Sequence, residues 1–293
     1  MSDATVLIGV DWGSSNLRVF RMGEGGRVLD RRADPRGATT LTSGQFADVL
    51  TEVAADWLAE DLPVVVCGMA GARGRWLEAP YAPCPASVAD IAAYAVHPAD
   101  APEVRILPGV AVWRDGCLDD VMRGEETQLL GLADGFDHVV APGTHSKWAQ
   151  LDGGRIVDFR THMTGEVFAA LSLSPSFLGG AAGTDAEAFE AGVRIGLEDE
   201  PLGQSLFSAR VGLLAGRVSA SGMQDYLSGV LIGAEIAGEV RNGVTGRIAV
   251  LGAPALSEQY RRALAIAGIE DVVVADAEVA TATGLWRTWE AMR

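Results

Sequence analysis

Two short polar stretches carry the residue types that could handle a phosphate. The first runs Asp11-Trp12-Gly13-Ser14-Ser15-Asn16-Leu17-Arg18, and the second Pro142-Gly143-Thr144-His145-Ser146-Lys147-Trp148. Glycine lets the backbone approach a ligand closely. Successive N–H groups and hydroxyls in a turn can cradle phosphate oxygens. In the first stretch Gly13, Ser14 and Ser15 would face phosphates, and Asp11 could hold a metal-bound water beside them. In the second, Gly143, Thr144, His145 and Ser146 form the turn, and Lys147 adds a charge that could neutralise a transferring group. Ordinary hairpins use the same residue types, so neither stretch decides the matter alone. The four histidines are scattered and make no metal set.

The elements around these stretches repeat. Val6 to Val10 reads as a strand, Leu17 to Met22 as its return, and Arg27 to Arg32 as a third strand after a Gly-rich turn. From His138 the same order recurs: an apolar strand to Ala141, the second polar turn, a return over Lys147 to Leu151, a Gly turn, and a third strand from Arg155. Gly154-Arg155-Ile156-Val157-Asp158 echoes Gly26-Arg27-Val28-Leu29-Asp30, and Ile248 to Gly252 echoes Val64 to Gly68. This is self-similarity between two halves rather than a short-period repeat. It predicts domains at 1–122 and 123–293, with a ligand cleft between them.

Elsewhere strands and helices alternate. Helices are expected over Ser43 to Ala59, Glu125 to Leu132, Gly165 to Leu171 with Thr164 as cap, Gly222 to Val240, Leu256 to Ala267 with Ser257 as cap, and Ala277 to Met292. Strands are expected over Val64 to Cys67, Val104 to Leu107, Ile248 to Leu251 and Val272 to Ala275. An insertion at about 172–221 is expected to be helical over Asp185 to Leu197 and Leu202 to Val218. The fold class is α/β with mixed sheets flanked by helices.

Composition narrows the function. The 293 residues suffice for two modest domains with real cores. A net charge of -16 argues against nucleic-acid partners, which need basic surfaces. The 3 cysteines show no CxxC spacing and read as reduced thiols. The N-terminal residues lack a basic n-region, and no apolar run reaches membrane-spanning length, so a cytoplasmic location is expected.

Four segments carry a family resemblance: Gly68 to Trp76 running on to Tyr81, Arg123-Gly124-Glu125-Glu126-Thr127-Gln128, Pro142 to Trp148, and Thr161 to Glu166. With the repeat, they resemble the 2-dehydro-3-deoxygalactonokinase family of the actin-like ATPase and sugar kinase superfamily. The family loop reads Gly-Ser-Arg-Gln-Gly-Trp where this chain has Gly71-Ala72-Arg73-Gly74-Arg75-Trp76. The resemblance implies a two-domain actin-like (duplicated ribonuclease H-like) fold, with ATP and Mg2+ as cofactors. It implies transfer of the γ-phosphate to the 6-hydroxyl of 2-dehydro-3-deoxy-D-galactonate in galactonate catabolism. A kinase for another 2-keto-3-deoxy acid, and a non-kinase actin-like ATPase or regulator, are the alternatives.

On that resemblance Asp11 orients the magnesium through water, and Gly252, Ala253 and Pro254 match the adenosine loop. Phosphoryl transfer to an alcohol needs a base. Glu125 and Glu126 follow Gly124 where related sugar kinases carry an acidic base, although acidic residues also begin helices for dipole reasons. Asp158 and Glu166 are further acidic candidates. Asn16 and Arg18 could reach the sugar acid. Gly71 and Arg73 belong to the substrate loop, where a guanidinium could bind the carboxylate bidentately. Trp76 and Tyr81 would wall the pocket, or simply fill the core. The expected partners are therefore the sugar acid and ATP. Monomer and homodimer are equally compatible with the sequence.

Overall fold

The computed structural model describes residues 4–132, 135–175, 177, 183, 185–198 and 200–293. Those at 176, 178–182, 184 and 199, within the expected insertion, lie outside the described residues, as do 1–3 of the N-terminus.

The chain gathers into two compact units. The first comprises Met1–Asp134, Gln150–Phe159 and Asp276–Arg293, and the second Gly135–Ala149 and Arg160–Ala275. The chain therefore returns to the first unit twice, which a single cut at 122/123 leaves out.

In the first unit β1 (Leu7–Trp12), β2 (Leu17–Met22) and β3 (Val28–Asp34) form the expected antiparallel trio. Helix α1 (Phe46–Leu58) follows, entered through a 3-10 turn at Ser43–Gln45. Then β4 (Val64–Gly68), buried at every position, pairs parallel to β1. Strand β5 (Tyr81–Pro83) and helix α2 (Val88–Ala93) precede β6 (Val104–Ile106), which completes a sheet of order β3-β2-β1-β4-β6. Trp12, Phe46 and Trp76 pack ring against ring beneath this sheet. Three strands were not expected from sequence: β7 (Gly109–Arg114) and β8 (Cys117–Met122) join β5 in a separate sheet. Helix α3 (Glu125–Gly131) comes next.

The second half repeats the order. Strands β9 (His138–Ala141), β10 (Ser146–Asp152) and β11 (Arg155–His162) are followed by α4 (Thr164–Ser172), α5 (Ala186–Leu197), α6 (Leu202–Leu214) and α7 (Met223–Arg241). After β12 (Ile248–Leu251), α8 (Pro254–Ile266) and β13 (Val272–Ala275), the sheet order is β11-β10-β9-β12-β13, the same as in the first half. Helix α9 (Ala277–Ala291) then packs on α3. Its Gly284 lies on the Thr127 carbonyl and Gly131 of α3 lies on the Ala280 carbonyl, so neither position has room for a Cβ. That contact is why the C-terminal helix belongs to the first unit.

Two caps differ from expectation. Thr164 is the first residue of α4, and its hydroxyl donates to Glu235 rather than capping. Ser257 lies inside α8, which starts at Pro254, where proline's fixed φ suits the first turn. Helix α6 ends at Leu214, short of Val218, because Gly216 takes φ +68°.

Candidate active site

Sheet register places the first charged pair. Asp11 is the direct cross-strand neighbour of Arg18, and Arg18 Nη1 donates to Asp11 Oδ2 at 3.0 Å. On its other side Asp11 lies beside Cys67, whose Sγ is 3.9 Å from Oδ1. Burial pushes the Asp11 carboxyl up and the nearby Glu125 pushes the same way, while Arg18 opposes both.

Glu125 comes within electrostatic range of Asp11 because of two glycines. Gly68 ends β4 at φ +85°, against the Trp12 carbonyl. Gly124 takes φ +106°, and a Cβ there would stand 3.3 Å from the Gly68 Cα. Both conformations are strained for any residue with a side chain. They let the chain enter α3 close to the end of β1.

The two adjacent glutamates are not equivalent. Glu126 is fully buried. Its Oε2 accepts the Gly124 N–H at 2.6 Å and its Oε1 accepts the Thr127 hydroxyl at 3.0 Å. Burial first, and Glu125 second, push its carboxyl up to about 7. Glu125 is only half-buried. The pair thus divides into an inward carboxyl that shapes the turn and an outward one beside Asp11. Burial also pushes the Cys67 thiol well above its usual range, so it stays protonated.

The Gly13–Asn16 turn is held from behind. The Gly13 carbonyl accepts the Ala38 N–H at 2.9 Å, and the Ser14 carbonyl accepts both the N–H and the hydroxyl of Thr39. Trp12 Nε1 ties the preceding loop down through the Arg36 carbonyl at 3.1 Å. Ser14, Ser15 and Asn16 stay exposed.

The substrate loop separates into parts. Arg73 is exposed at its tip and Gly71 is buried at its neck. Trp76, expected either to wall the pocket or to fill the core, stacks on Phe46 at 5.8 Å in the core, with Nε1 donating to Asp100 at 3.2 Å. A large apolar ring gains more from that core than from an exposed loop. Tyr81 is half-exposed, with its ring under the Arg123 guanidinium at 4.4 Å.

In the second unit the polar turn is likewise built on supports. Gly165 packs against the Gly143 carbonyl, and the Glu166 N–H donates to the Thr144 carbonyl at 3.0 Å. His145 Nε2 pairs with Glu166 at 2.6 Å. Lys147 is buried rather than solvated, and its Nζ donates to the His145 carbonyl at 3.1 Å. Beneath them Glu235, a residue no motif marked, accepts Trp148 Nε1 at 2.6 Å, the Tyr260 hydroxyl at 2.9 Å, and the Thr164 hydroxyl. Ser146 meets the same Tyr260 hydroxyl at 2.9 Å. Four elements are thus tied through one buried carboxylate.

Gly252 stands against this turn: a Cβ there would lie 3.1 Å from the Pro142 carbonyl and 3.4 Å from Ser257 Oγ. Ala253 and Pro254 are exposed at the start of α8. The α8 N-terminus has no side-chain cap, and the buried Ser257 hydroxyl lacks a hydrogen-bond partner among the described residues. Within this unit, then, the second polar turn and the expected adenosine loop are neighbours.

Asp158 pairs with Arg114 at 2.8 Å, well occupied as a structural ion pair. The described residues hold no group of three His, Cys, Asp or Glu side chains arranged for a metal. None of their helices is long and apolar enough to cross a membrane.

Comparison with known proteins shows the family. The family model described as 2-keto-3-deoxy-galactonokinase matches residues 11–288. The chain is 40% identical over 303 residues to the Rhizobium meliloti protein named "Probable 2-dehydro-3-deoxygalactonokinase DgoK1", covering 97% of each. It is 38% identical over 276 residues to the 2-dehydro-3-deoxygalactonokinase of Escherichia coli K12, covering 92% of each. A solved Sinorhizobium meliloti structure given the same kinase name superposes with a TM-score of 0.86 at 38% identity, covering 98% of this chain and 99% of that one. The duplicated sheet order is that of the actin-like ATPase and sugar kinase fold. The chain belongs to the 2-keto-3-deoxy-galactonokinase family.

Proposed function

We propose that this chain transfers the γ-phosphate of ATP to the 6-hydroxyl of 2-dehydro-3-deoxy-D-galactonate. The observation that carries the reading is the pair of close backbone approaches at Gly68 and Gly124, which bring the start of α3 to the end of β1 and put Glu125 within electrostatic range of Asp11. Glu125 is the base in this account. Its carboxylate takes the proton from the acceptor hydroxyl as that oxygen bonds to the γ-phosphorus. The bond from that phosphorus to the β–γ bridging oxygen breaks, and ADP leaves. Glu126 is assigned to the turn, because its oxygens are already engaged by Gly124 and Thr127.

The nucleotide falls to the polar turns and the adenosine loop. Gly143 to Ser146 supply N–H groups and hydroxyls for phosphate oxygens, with Lys147 as a fixed charge behind them. The uncapped start of α8 and the Ser257 hydroxyl offer donors near Gly252. Gly13, Ser14 and Ser15 play the corresponding part in the first unit. Asn16, Arg18 and Arg73 are the sugar-acid contacts in this reading, and Arg73 suits the carboxylate.

Magnesium fits Asp11. Its carboxyl is pushed up by burial and by a second carboxylate, with a single guanidinium against the two negative groups. An added cation would relieve that imbalance. Magnesium typically keeps waters and substrate phosphates as ligands, so one nearby carboxylate suffices. When bound, it would neutralise phosphate charge; Asp11 would hold it through water. We also place the enzyme in the cytoplasm, where ATP is available and its thiols stay reduced.

Product analysis tests the reading. Phosphorus NMR of the reaction mixture should show a phosphate ester coupled to the C6 protons of the sugar acid. A phosphate on another carbon, or no ester at all, contradicts it.

A further inference from the structure

The loop that carries Arg73 is closed at its neck. The Ala79 N–H donates to the Gly71 carbonyl at 3.0 Å, making residues 71–79 a compact excursion at the end of β4. One side chain grips both ends of this neck. Arg123 Nη2 donates to the Ala79 carbonyl at 2.8 Å. Its Nη1 lies where a Gly71 Cβ would come within 2.8 Å. The ring of Tyr81, just beyond the neck, covers the guanidinium at 4.4 Å. Arg123 immediately precedes Gly124 and Glu125 in sequence. The same residue therefore ends the segment leading to the base and holds the loop that presents Arg73.

This grip is unusual in what it leaves unmade. Arg123 Nε and Nη1 are both shut off from solvent without an acceptor among the described residues. Buried donors are nearly always paired, and one left open in a native fold calls for a reason. Stability alone gives none, because an apolar side chain of similar length would occupy the space without orphaned N–H groups. Geometry gives one. A planar guanidinium can lie flat on Tyr81 while its edge meets Ala79 and its end abuts Gly71.

We propose that Arg123 is a positioning residue that locks the neck of the 71–79 loop to the Gly124–Glu125 turn, so that the acceptor's carboxylate contact and its base share one frame. The kinetic part of this inference rests on the function proposed above; the structural part does not.

The test uses the full-length protein with Arg123→Met, Arg123→Lys and Gly71→Ala. Hydrogen–deuterium exchange reads the clamp without any substrate. The Ala79 and Arg75 amides should exchange at least tenfold faster in Arg123→Met than in the parent, and the β1 and β9 amides at unchanged rates. Steady-state kinetics reads its consequence. The KM for the sugar acid should rise at least tenfold in Arg123→Met and less in Arg123→Lys, with the KM for ATP within twofold. Gly71→Ala, whose Cβ would press on Arg123 Nη1 and also stand 3.1 Å from the Leu107 carbonyl, should shift the sugar-acid KM in the same direction. Unchanged loop exchange overturns the clamp. Faster loop exchange with an unchanged sugar-acid KM, or with both KM values rising together, overturns the positioning role. A parent protein that does not phosphorylate the sugar acid would count against the proposed function, while exchange would still decide the clamp.

Discussion

At the scale of single residues, two adjacent carboxylates have different surroundings. Glu125 is half-exposed beside Asp11, whereas Glu126 is sealed and bonded to its own turn. Replacing Glu125 by Gln removes the proton acceptor and keeps the shape. Turnover should fall by about 10²–10⁴-fold, the range for losing a general base, with ATP binding retained in calorimetry. Near-normal turnover would move the base elsewhere. Glu126 makes a separate prediction through pH. Its folded value, about 7, lies above the ordinary carboxylate value, so its contribution to stability is complete at low pH. That contribution is lost as pH rises through about 7. The melting temperature of the parent should therefore fall relative to Glu126→Gln between about pH 5 and 8. A difference that stays flat with pH would contradict the assignment. The places of Asp11 near a strand end and of Gly13 in a turn were legible in the sequence because turn and strand-end chemistry is local, whereas Glu125 was singled out by the family resemblance. Glu235 and the Arg123 clamp were not legible, since each depends on partners far away along the chain.

At the scale of elements, the site is held by close backbone approaches that leave no room for a Cβ. Gly124→Ala would place a β-carbon at φ +106°, 3.3 Å from the Gly68 Cα. The strain should cost about 1–2 kcal/mol and shift Glu125. The measurable outcome is a lower melting temperature with kcat reduced more than the KM for ATP. The second polar turn depends on Glu235 instead. In Glu235→Gln an amide NH₂ replaces one acceptor oxygen, so either the Thr164 and Tyr260 hydroxyls turn to accept or Trp148 Nε1 loses its acceptor. A cost of about 1–3 kcal/mol is expected, with a raised KM for ATP; an unchanged KM would show that the turn does not need this support. Most elements were readable from apolar runs and turn residues. The hairpin of β7 and β8 was missed although Asp115-Gly116, both at positive φ, is a strong hairpin signal. Trp76 was ambiguous because an aromatic beside a loop can serve a pocket or the core, and only its stack on Phe46 decides.

At the scale of the molecule, one topology occurs twice, and each copy opens on a polar turn braced from behind. That duplication was visible as matched strand and turn order, because each copy must solve the same local problem of turning a buried strand back on itself. The return of α9 to the first unit was not visible, since it rests on glycine contacts between helices distant in sequence. The choice of acceptor also lies beyond local pattern and comes from family membership. The measurement that tests it most directly is magnesium-dependent ADP release from ATP by the purified protein. Parallel reactions would contain 2-dehydro-3-deoxygalactonate, its gluconate epimer, or no acceptor. The account predicts fast release with the galactonate acid and only background release without an acceptor. Equal release with and without the sugar acid, or none in any reaction, would contradict it.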